Sequence, residues 1–234
     1  MAFTKVASVV KANGAATSYA FTHGLTILED DILVLTVHAD TSGNTVGAPS
    51  TGTTSEWNTA IDSVDGIETT TYASFWCVSD GAEGSQIGGT LASSQSHSVI
   101  IDQYRSDNHP VVADAAVSSS SGASAADAVA NSIDVAVEAL AIAIAGADSG
   151  SRTFTAVDNS YLPDPPSTIA ARTLGTAYRT FTSGGSTGAV SMTLSSANAW
   201  NAFHYSLKDG DASGGGSSIV PIIDQMNHLD GGAL

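Results

Sequence analysis

The chain has 234 residues and a formal net charge of −16 at pH 7, because 23 acidic side chains stand against only 7 Lys and Arg. Nucleic acid and anionic membranes are bound mainly through basic side chains that displace counterions, so this balance predicts that the protein binds neither. Charged residues make up 13% of the chain, which is roughly half the usual share. Small and hydroxyl-bearing residues must therefore supply much of the surface.

The opening residues, MAFTKVASVV, contain no apolar core of signal-peptide length. No apolar run reaches the roughly 18 residues that predict a membrane-spanning helix. These features predict a chain that is made in the cytoplasm and does not enter a membrane. The single cysteine, Cys77, cannot form an internal disulfide and lies in an alternating segment, which predicts a small core residue.

Alternation of apolar and polar residues with a period of two recurs along the chain and predicts half-buried strands. Clusters of Gly, Ser, Asn and Asp separate the alternating segments and indicate turns. We expect about a dozen strands at the spacing typical of sandwiches and jelly rolls. The clearest alternating segments are Ile32–His38, Thr70–Val78, Ser98–Tyr104, Ala139–Ala145, Tyr178–Thr182, Ala189–Leu194 and Trp200–Leu207.

The alanine-rich segment Ala123–Leu140 leaves two interpretations open. Alanine is the strongest helix former, which favours a short helix. Ile133, Val135 and Val137 alternate with polar or small residues, which favours strand–turn–strand. We prefer the second interpretation.

Three segments of the first half of the chain recur in the same order in the second half, at offsets of 107, 106 and 104 residues. This repetition predicts an all-β fold: an antiparallel β-sandwich, jelly-roll-like, built from two pseudo-repeated halves, residues 1–108 and 109–208. The pairs are Asp31–Ser42 (DILVLTVHADTS) with Glu138–Ser149 (EALAIAIAGADS), Thr71–Gly81 (TYASFWCVSDG) with Ala177–Gly185 (AYRTFTSGG), and Ser98–Tyr104 (SVIIDQY) with Ala202–Lys208 (AFHYSLK).

Two long polar loops, Pro49–Gly66 and the proline-rich Asn159–Ser167, are predicted at equivalent places in the two halves. Proline removes a backbone donor, so the second loop cannot be a central strand. Each loop carries an aromatic residue that we expect at the surface. Aromatic rings on loops stack on sugars, so Trp57 and Tyr161 are the candidate glycan contacts.

After the predicted sandwich the composition changes abruptly. Residues Asp209–Ser218 (DGDASGGGSS) read as a flexible linker. The remaining segment, Ile219–Leu234, is too short to fold alone and too apolar to be left in water. It could pack back on its own domain, but we favour docking on another chain as an extended C-terminal anchoring tail. The predicted docking residues are Ile219, Val220, Ile222, Ile223, Met226 and Leu229.

No motif in the sequence predicts a catalytic, cofactor or metal site. Gly184–Gly188 (GGSTG) matches a nucleophile elbow around Ser186, but a predicted strand follows where that motif needs a helix. No histidines are spaced as zinc ligands, and His38 and His204 are expected to be hydrogen-bonded structural residues. The acidic run Glu29–Asp31 lacks the calcium-loop pattern and predicts a solvated turn, as does Asp209–Asp211. A carboxylate pair distant in sequence, as in glycoside hydrolases, stays open.

The order of these strand sequences resembles a group of jelly-roll-like β-sandwich proteins of tailed bacteriophages and prophages. The resemblance covers residues 1–208 and depends on ILEDDILVLTVHAD, TYASFWCVSDGAEGS, SHSVIIDQYR and, at the end of the second round, AWNAFHYSLK. Members of this group are virion structural components. The Gly–Asp pair that usually precedes the first long strand is Asp30–Asp31 here, and no functional residues carry over.

The resemblance and the composition together predict a non-enzymatic virion protein. We expect a capsid-surface decoration, cement or appendage protein on the outer surface of the particle, made in the host cytoplasm. Its expected partners are capsid or tail protein subunits and further copies of itself. The alternatives are a glycan-binding adhesin of the tail or head surface, and a glycosidase or esterase on a β scaffold.

Overall fold

The computed structural model describes residues 3–40, 43–65, 70–106, 110–147, 153–164, 167–169 and 172–210. Within these ranges the regular structure is all strand, as predicted, and none of it forms a helix that could span a membrane. The strands are β1 Phe3–Ser18, β2 Phe21–Thr22, β3 Glu29–Ala39, β4 Asn58–Asp65, β5 Thr71–Asp80, β6 Gln86–Ile87, β7 Thr90–Ser106, β8 Val111–Ala113, β9 Ser118–Ala130, β10 Asp134–Val135, β11 Ala139–Ala147, β12 Phe154–Val157, β13 Leu162–Pro163, β14 Ser167–Ile169, β15 Arg172–Phe181, β16 Gly185–Ser186 and β17 Val190–Asp209.

Two antiparallel sheets with matching strand orders form the sandwich. The first has the order β1-β7-β3-β5-β4, and the second has β17-β11-β15-β13 at its centre. In the second sheet, β8 and β9 pair with β17 as β1 pairs with β7, and β14 pairs with β15. Each half also carries a small two-stranded sheet, β2–β6 or β10–β16. These orders agree with two repeated halves.

The two sheets pack face to face around a shared apolar core. The outer face of each sheet is covered by segments of its own half, so strands β3 and β11 are buried on both sides. The core between the sheets consists of Phe3, Ile32, Val34, Ile61, Tyr72, Trp76, Ile100 and Tyr104 from the first half, and Val111, Leu140, Ile142, Ile144, Leu174, Phe203, Tyr205 and Leu207 from the second.

All three sequence alignments between the halves are shifted, two by one residue and the third by four, since Trp76 and Tyr178 stand opposite the equivalent residues Val34 and Ile142. Ile32 packs between the sheets, whereas Ala139, its partner at an offset of 107, packs on the outer face of the second sheet. Strand side chains alternate, so a shift of one residue exchanges the two faces. Matching Ile32 with Leu140 and Tyr104 with Leu207 keeps all four between the sheets. The offsets are then 108 and 103 residues.

The alanine-rich segment Ala123–Leu140, for which the sequence leaves two interpretations open, forms strand–turn–strand. Strand β9 ends at Ala130, the short strand β10 follows, and a turn at residues 137–138 leads into β11. At the other end of the half, β17 continues to Asp209, which pairs with Val111. Asp209, the first residue of the predicted linker, therefore belongs to the second sheet.

A left-handed backbone conformation occurs where the central strand of each half begins, at the second residue of β3 and immediately before β11. Asp30 has a φ of 69° and Glu138 a φ of 55°, and the two are related by the same offset of 108 residues. This conformation brings Cβ close to the following carbonyl oxygen, which glycine avoids. The backbone thus repeats at a position where the side chains differ.

Glu138→Gly is expected to be more stable than Glu138→Ala by about 1 kcal/mol, because both variants lose the side chain but only glycine relieves the strained backbone. The difference between Asp30→Gly and Asp30→Ala should have the same sign. Urea unfolding of the four variants measures both differences. Equal stability of the Gly and Ala variants would show that neither backbone is strained.

Candidate functional site

Three charged side chains meet between the two sheets. Lys5 on β1 places its Nζ 2.9 Å from Oδ1 of Asp102 on β7, and the same Nζ contacts Oδ1 of Asp164, which follows β13 in the second half. The side chain of Lys5 is 11% exposed, and those of Asp102 and Asp164 are 1% and 4% exposed. We call these three residues the Lys5 triad.

Hydroxyl groups and aromatic rings complete the surroundings of the triad. Ser8 donates a hydrogen bond to Oδ1 of Asp102 over 2.6 Å, and Thr176 on β15 lies 3.0 Å from Oδ2 of Asp164. The Lys5 ammonium lies 5.2 Å from the ring centroid of Tyr104 and 4.7 Å from that of Tyr178. Buried charges need such partners because removal from water is costly.

The triad carries two carboxyl groups for one ammonium group. Burial raises the pKa of Asp164 to about 6, and the negative charge of Asp102 adds to the rise while Lys5 opposes it. Asp164 therefore changes its protonation state in the mildly acidic range. The second negative charge is costly for the fold, and protonation of Asp164 removes it.

The triad joins the two halves rather than facing a substrate cleft. Lys5 and Asp102 belong to the first sheet, whereas Asp164 belongs to the second half, so their contacts tie the sheets together. Glycoside hydrolases also use two carboxyl groups, but these flank a bound sugar. Here a lysine occupies the space between them. The geometry is that of a buried group of ion pairs that links the two sheets.

Sequence reasoning missed the triad, although one signal was present. Alternation in β7 places Asp102 on the same face as Ile100 and Tyr104, which both pack between the sheets. A charged residue at an inward-facing position predicts a buried partner of opposite charge. The sequence contains no equivalent signal for Lys5 or Asp164, because Lys5 lies 97 positions from Asp102 and 159 positions from Asp164 along the chain.

His38 and His204, the two histidines singled out on strands, differ in their hydrogen bonding. His204 is hydrogen-bonded through Nε2 to the Tyr161 hydroxyl over 2.7 Å and through Nδ1 to the Asn131 carbonyl over 2.8 Å, which confirms a structural role. His38 stacks on Tyr72 at 4.4 Å, and neither of its nitrogens has a hydrogen-bond partner among the described residues. The expectation of a hydrogen-bonded His38 is therefore wrong. Burial, with a smaller contribution from a nearby arginine, lowers its pKa to about 3, so the ring is neutral.

The two candidate glycan contacts do not lie together. Tyr161 is only 3% exposed, and its hydroxyl bonds to His204, so the prediction that it lies at the surface is wrong. Leu162 and Pro163 of the proline-rich segment form β13, which pairs with β15, and Tyr161 beside them packs against the outer face of the second sheet. Trp57 is half-buried against the outer face of the first sheet, and its Nε1 donates to Thr53 Oγ1 over 2.7 Å. The pair forms no shared sugar platform.

The serine of the elbow-like sequence lies in a small sheet. Ser186 on β16 has its Oγ 2.7 Å from the Oγ of Ser132, and the chain continues into β17. The local structure is thus strand followed by strand, as predicted, without the helix that a nucleophile elbow requires.

The acidic run Glu29–Asp31, which begins β3, is not a solvated turn throughout. Asp31 is 1% exposed and accepts hydrogen bonds from Arg105 Nε over 2.7 Å and from the Leu28 amide over 2.8 Å. The expectation of a solvated turn is wrong for this residue, because Arg105 on the neighbouring strand neutralises it. Among the described residues no three His, Cys, Asp or Glu are grouped to hold a metal.

The remaining predicted site residues stay a prediction. The docking residues Ile219, Val220, Ile222, Ile223, Met226 and Leu229 lie outside the described residues.

Cys77 is buried, as predicted, and burial raises the pKa of its thiol.

No protein-family model matches this chain, and searches of curated proteins and of solved structures also found no match. A proposal about function must therefore come from the chain itself.

Proposed function

We propose that this protein is a non-enzymatic structural component of a tailed-phage virion, a decoration, cement or appendage protein on the outer surface. The observation that carries the proposal is the fold, two jelly-roll-like sheets of matching strand order packed face to face. Jelly rolls recur in viral capsid proteins. The strand sequences of residues 1–208 resemble those of phage sandwich proteins, in which glycine usually stands at the position of Asp30. The left-handed backbone of Asp30 suits that glycine.

Two further features support a structural role. Asp164 and His38, whose pKa values are shifted by burial, lie between or within the sheets. The net charge of −16 repels packaged nucleic acid and favours the outside of a particle.

The anchor in this proposal is the C-terminal tail, with capsid or tail subunits as its partners and self-association on the particle. Strand β17 ends at Asp209, and the Gly210 amide donates to the Pro110 carbonyl over 2.5 Å. The tail thus leaves the sandwich from a defined point. The glycan-binding alternative loses the pair of aromatic contacts on which it depended.

Immunogold labelling tests the location. Antibody raised against residues 1–210 is applied to particles released by lysis from the source culture, and the particles are viewed by electron microscopy. We expect gold on intact particles, over the head for a decoration protein or on the tail for an appendage. Gold-free particles, with the protein remaining in the soluble fraction, would overturn the proposal.

A further inference from the structure

The register of the outer strands places Lys5 and Ala113 at equivalent positions in the two halves. Lys5 on β1 is opposite Tyr104 on β7, and Ala113 on β8 is opposite Leu207 on β17. Tyr104 and Leu207 are themselves equivalent, since both pack between the sheets at the offset of 103 residues. The Lys5 triad therefore has a counterpart site around Ala113.

The polar contacts beside these two positions follow the same repeat. The Thr176 hydroxyl on β15 lies 3.4 Å from Oδ2 of Asp102. At the counterpart site, the Ser74 hydroxyl on β5 lies 2.9 Å from the hydroxyl of Tyr205. Thus β5 and β15, which occupy equivalent places in the two sheets, each direct one hydroxyl at the neighbouring sheet, and the two sites have the same framework.

Lys5 fills its site, whereas Ala113 leaves a cavity. The Lys5 ammonium lies 4.7 Å from the ring centroid of Tyr178. Trp76 takes the equivalent place at the counterpart site, because it stands opposite Val34 as Tyr178 stands opposite Ile142. Ala113 has no side chain long enough to cover that ring. The space is a cavity of about 160 Å³, which we call the Trp76 cavity, lined by Thr59, Ala60, Trp76, Ala113, Ala115, Ala116, Val117, Tyr205, Ser206 and Leu207.

The lining of the Trp76 cavity selects an uncharged apolar occupant. No carboxyl group is among its lining residues, whereas Asp102 and Asp164 neutralise Lys5 at the equivalent site. The neighbouring Asp114 accepts a hydrogen bond from Ser206 and is paired with Lys208, so a cation in the cavity would lack a free counter-charge. A cavity of roughly 150 Å³ is large enough for a benzene-sized group. One branched aliphatic side chain has the right size and chemistry.

We infer that the Trp76 cavity is the docking site of this chain's own C-terminal segment Ile219–Leu229. The last described residue, Gly210, follows Leu207 by three positions, and Leu207 lines the cavity. The segment that follows is rich in branched aliphatic residues, including Ile222 and Ile223.

The linker is long enough to bring Ile219 from the end of the described chain at Gly210 back to the Trp76 cavity. Three residues of strand separate Leu207 from Gly210 by about 10 Å. The nine residues from Gly210 to Ile219 are mostly Gly, Ser and Asp, and such a chain has a root-mean-square span of about 17 Å. A tether of this length gives a millimolar effective concentration, so even a weak apolar contact is occupied.

This inference goes beyond the proposed function. A docked segment keeps one apolar side chain of the anchor out of water until a particle subunit competes for it. The virion location would stand even if the segment never enters the cavity, since the gold-labelling result does not depend on it.

Nuclear magnetic resonance of the full-length, nitrogen-15-labelled chain tests the inference. The probes are the Trp76 indole N–H and the amides of Ala113 and Val117. Wild type is compared with the tail variant Ile222→Ser/Ile223→Ser and with Leu234→Ser, a control outside the docking segment. The comparison is repeated in an Ala113→Met background, whose longer side chain fills the cavity as Lys5 fills its own. Ala113 is exposed, so the fold tolerates methionine there.

We expect the tail variant to shift the cavity signals, the control to leave them unchanged, and Ala113→Met to remove the effect of the tail variant. The same shifts should persist on tenfold dilution. Unshifted cavity signals in the tail variant would overturn the inference, and this comparison remains decisive even if Ala113→Met fails to fold. Shifts that vanish on dilution would overturn docking within one molecule, since they would place the segment in a second copy.

Discussion

Lys5→Met is expected to lower the free energy of unfolding by about 3 kcal/mol at pH 7, because it leaves two buried carboxyl groups without their cation. Methionine keeps an unbranched apolar side chain against Tyr104 and Tyr178, so lost packing contributes little. The loss should come from Asp102 and Asp164, which are almost inaccessible to water. Urea unfolding followed by circular dichroism measures it.

Lys11→Met is the matched control for this variant. Lys11 lies on the same strand, β1, but is exposed to solvent, where charge interactions contribute little to stability. Its replacement should change the unfolding free energy by less than about 0.5 kcal/mol. Equal losses in the two variants would mean that the triad does not stabilise the sandwich through its charges.

Asp164→Asn should become increasingly stable relative to wild type as the pH rises from 4 to 7. Burial and Asp102 raise the pKa of Asp164 from an ordinary value of 3.8 to about 6, so in that window the native state holds a proton that the unfolded state has lost. Native proton binding of this kind means that stability decreases as pH rises. Asparagine removes the second negative charge and with it this decrease.

The quantity to follow with pH is the difference in unfolding free energy between wild type and Asp164→Asn. Burial lowers the pKa of His38 to about 3, and such a group makes the fold less stable as the pH falls through its unfolded value near 6.5. This opposite dependence is the same in wild type and Asp164→Asn, so it cancels. A difference that stays constant with pH would contradict a raised pKa at Asp164.

The fold was predictable because strand alternation is a local signal. The segments around Ile32, Tyr72 and Ile142 show it clearly, and the structure places all three in strands that line the core. The residue-by-residue correspondence between the two halves was harder to predict. A match of letters between Ile32 and Ala139 ignores which face each residue occupies, and the faces are determined only when the two sheets pack.

The sites were less predictable because they depend on long-range packing. The loop-like sequence around Tyr161 predicts an exposed ring, yet the neighbouring residues pair with β15 as β13 and the ring is buried on the outer face of the second sheet. The acidic sequence around Asp31 predicts a solvated turn, yet Arg105 reaches this residue from a neighbouring strand. In both cases the deciding partner, His204 or Arg105, lies far away in the sequence.

Deleting residues 211–234 is expected to leave a folded sandwich that no longer enters particles. The deletion must begin after Gly210, since Asp209 belongs to β17 and is completely buried. A docked tail would bury about 500 Å² of apolar surface, or roughly 10 kcal/mol before the costs of ordering. Each 1.4 kcal/mol of net loss reduces occupancy about tenfold, so copies per particle should fall below detection.

Quantitative immunoblotting of purified particles from a culture that carries the altered gene measures the copies. A shorter deletion of residues 230–234 removes DGGAL but keeps all six docking residues, so it should be incorporated normally. A loss in both deletions would point to chain length rather than to the apolar segment. Normal incorporation of the long deletion would contradict the anchor, and the described surface of the sandwich, rather than the tail, would then have to hold the protein on the particle.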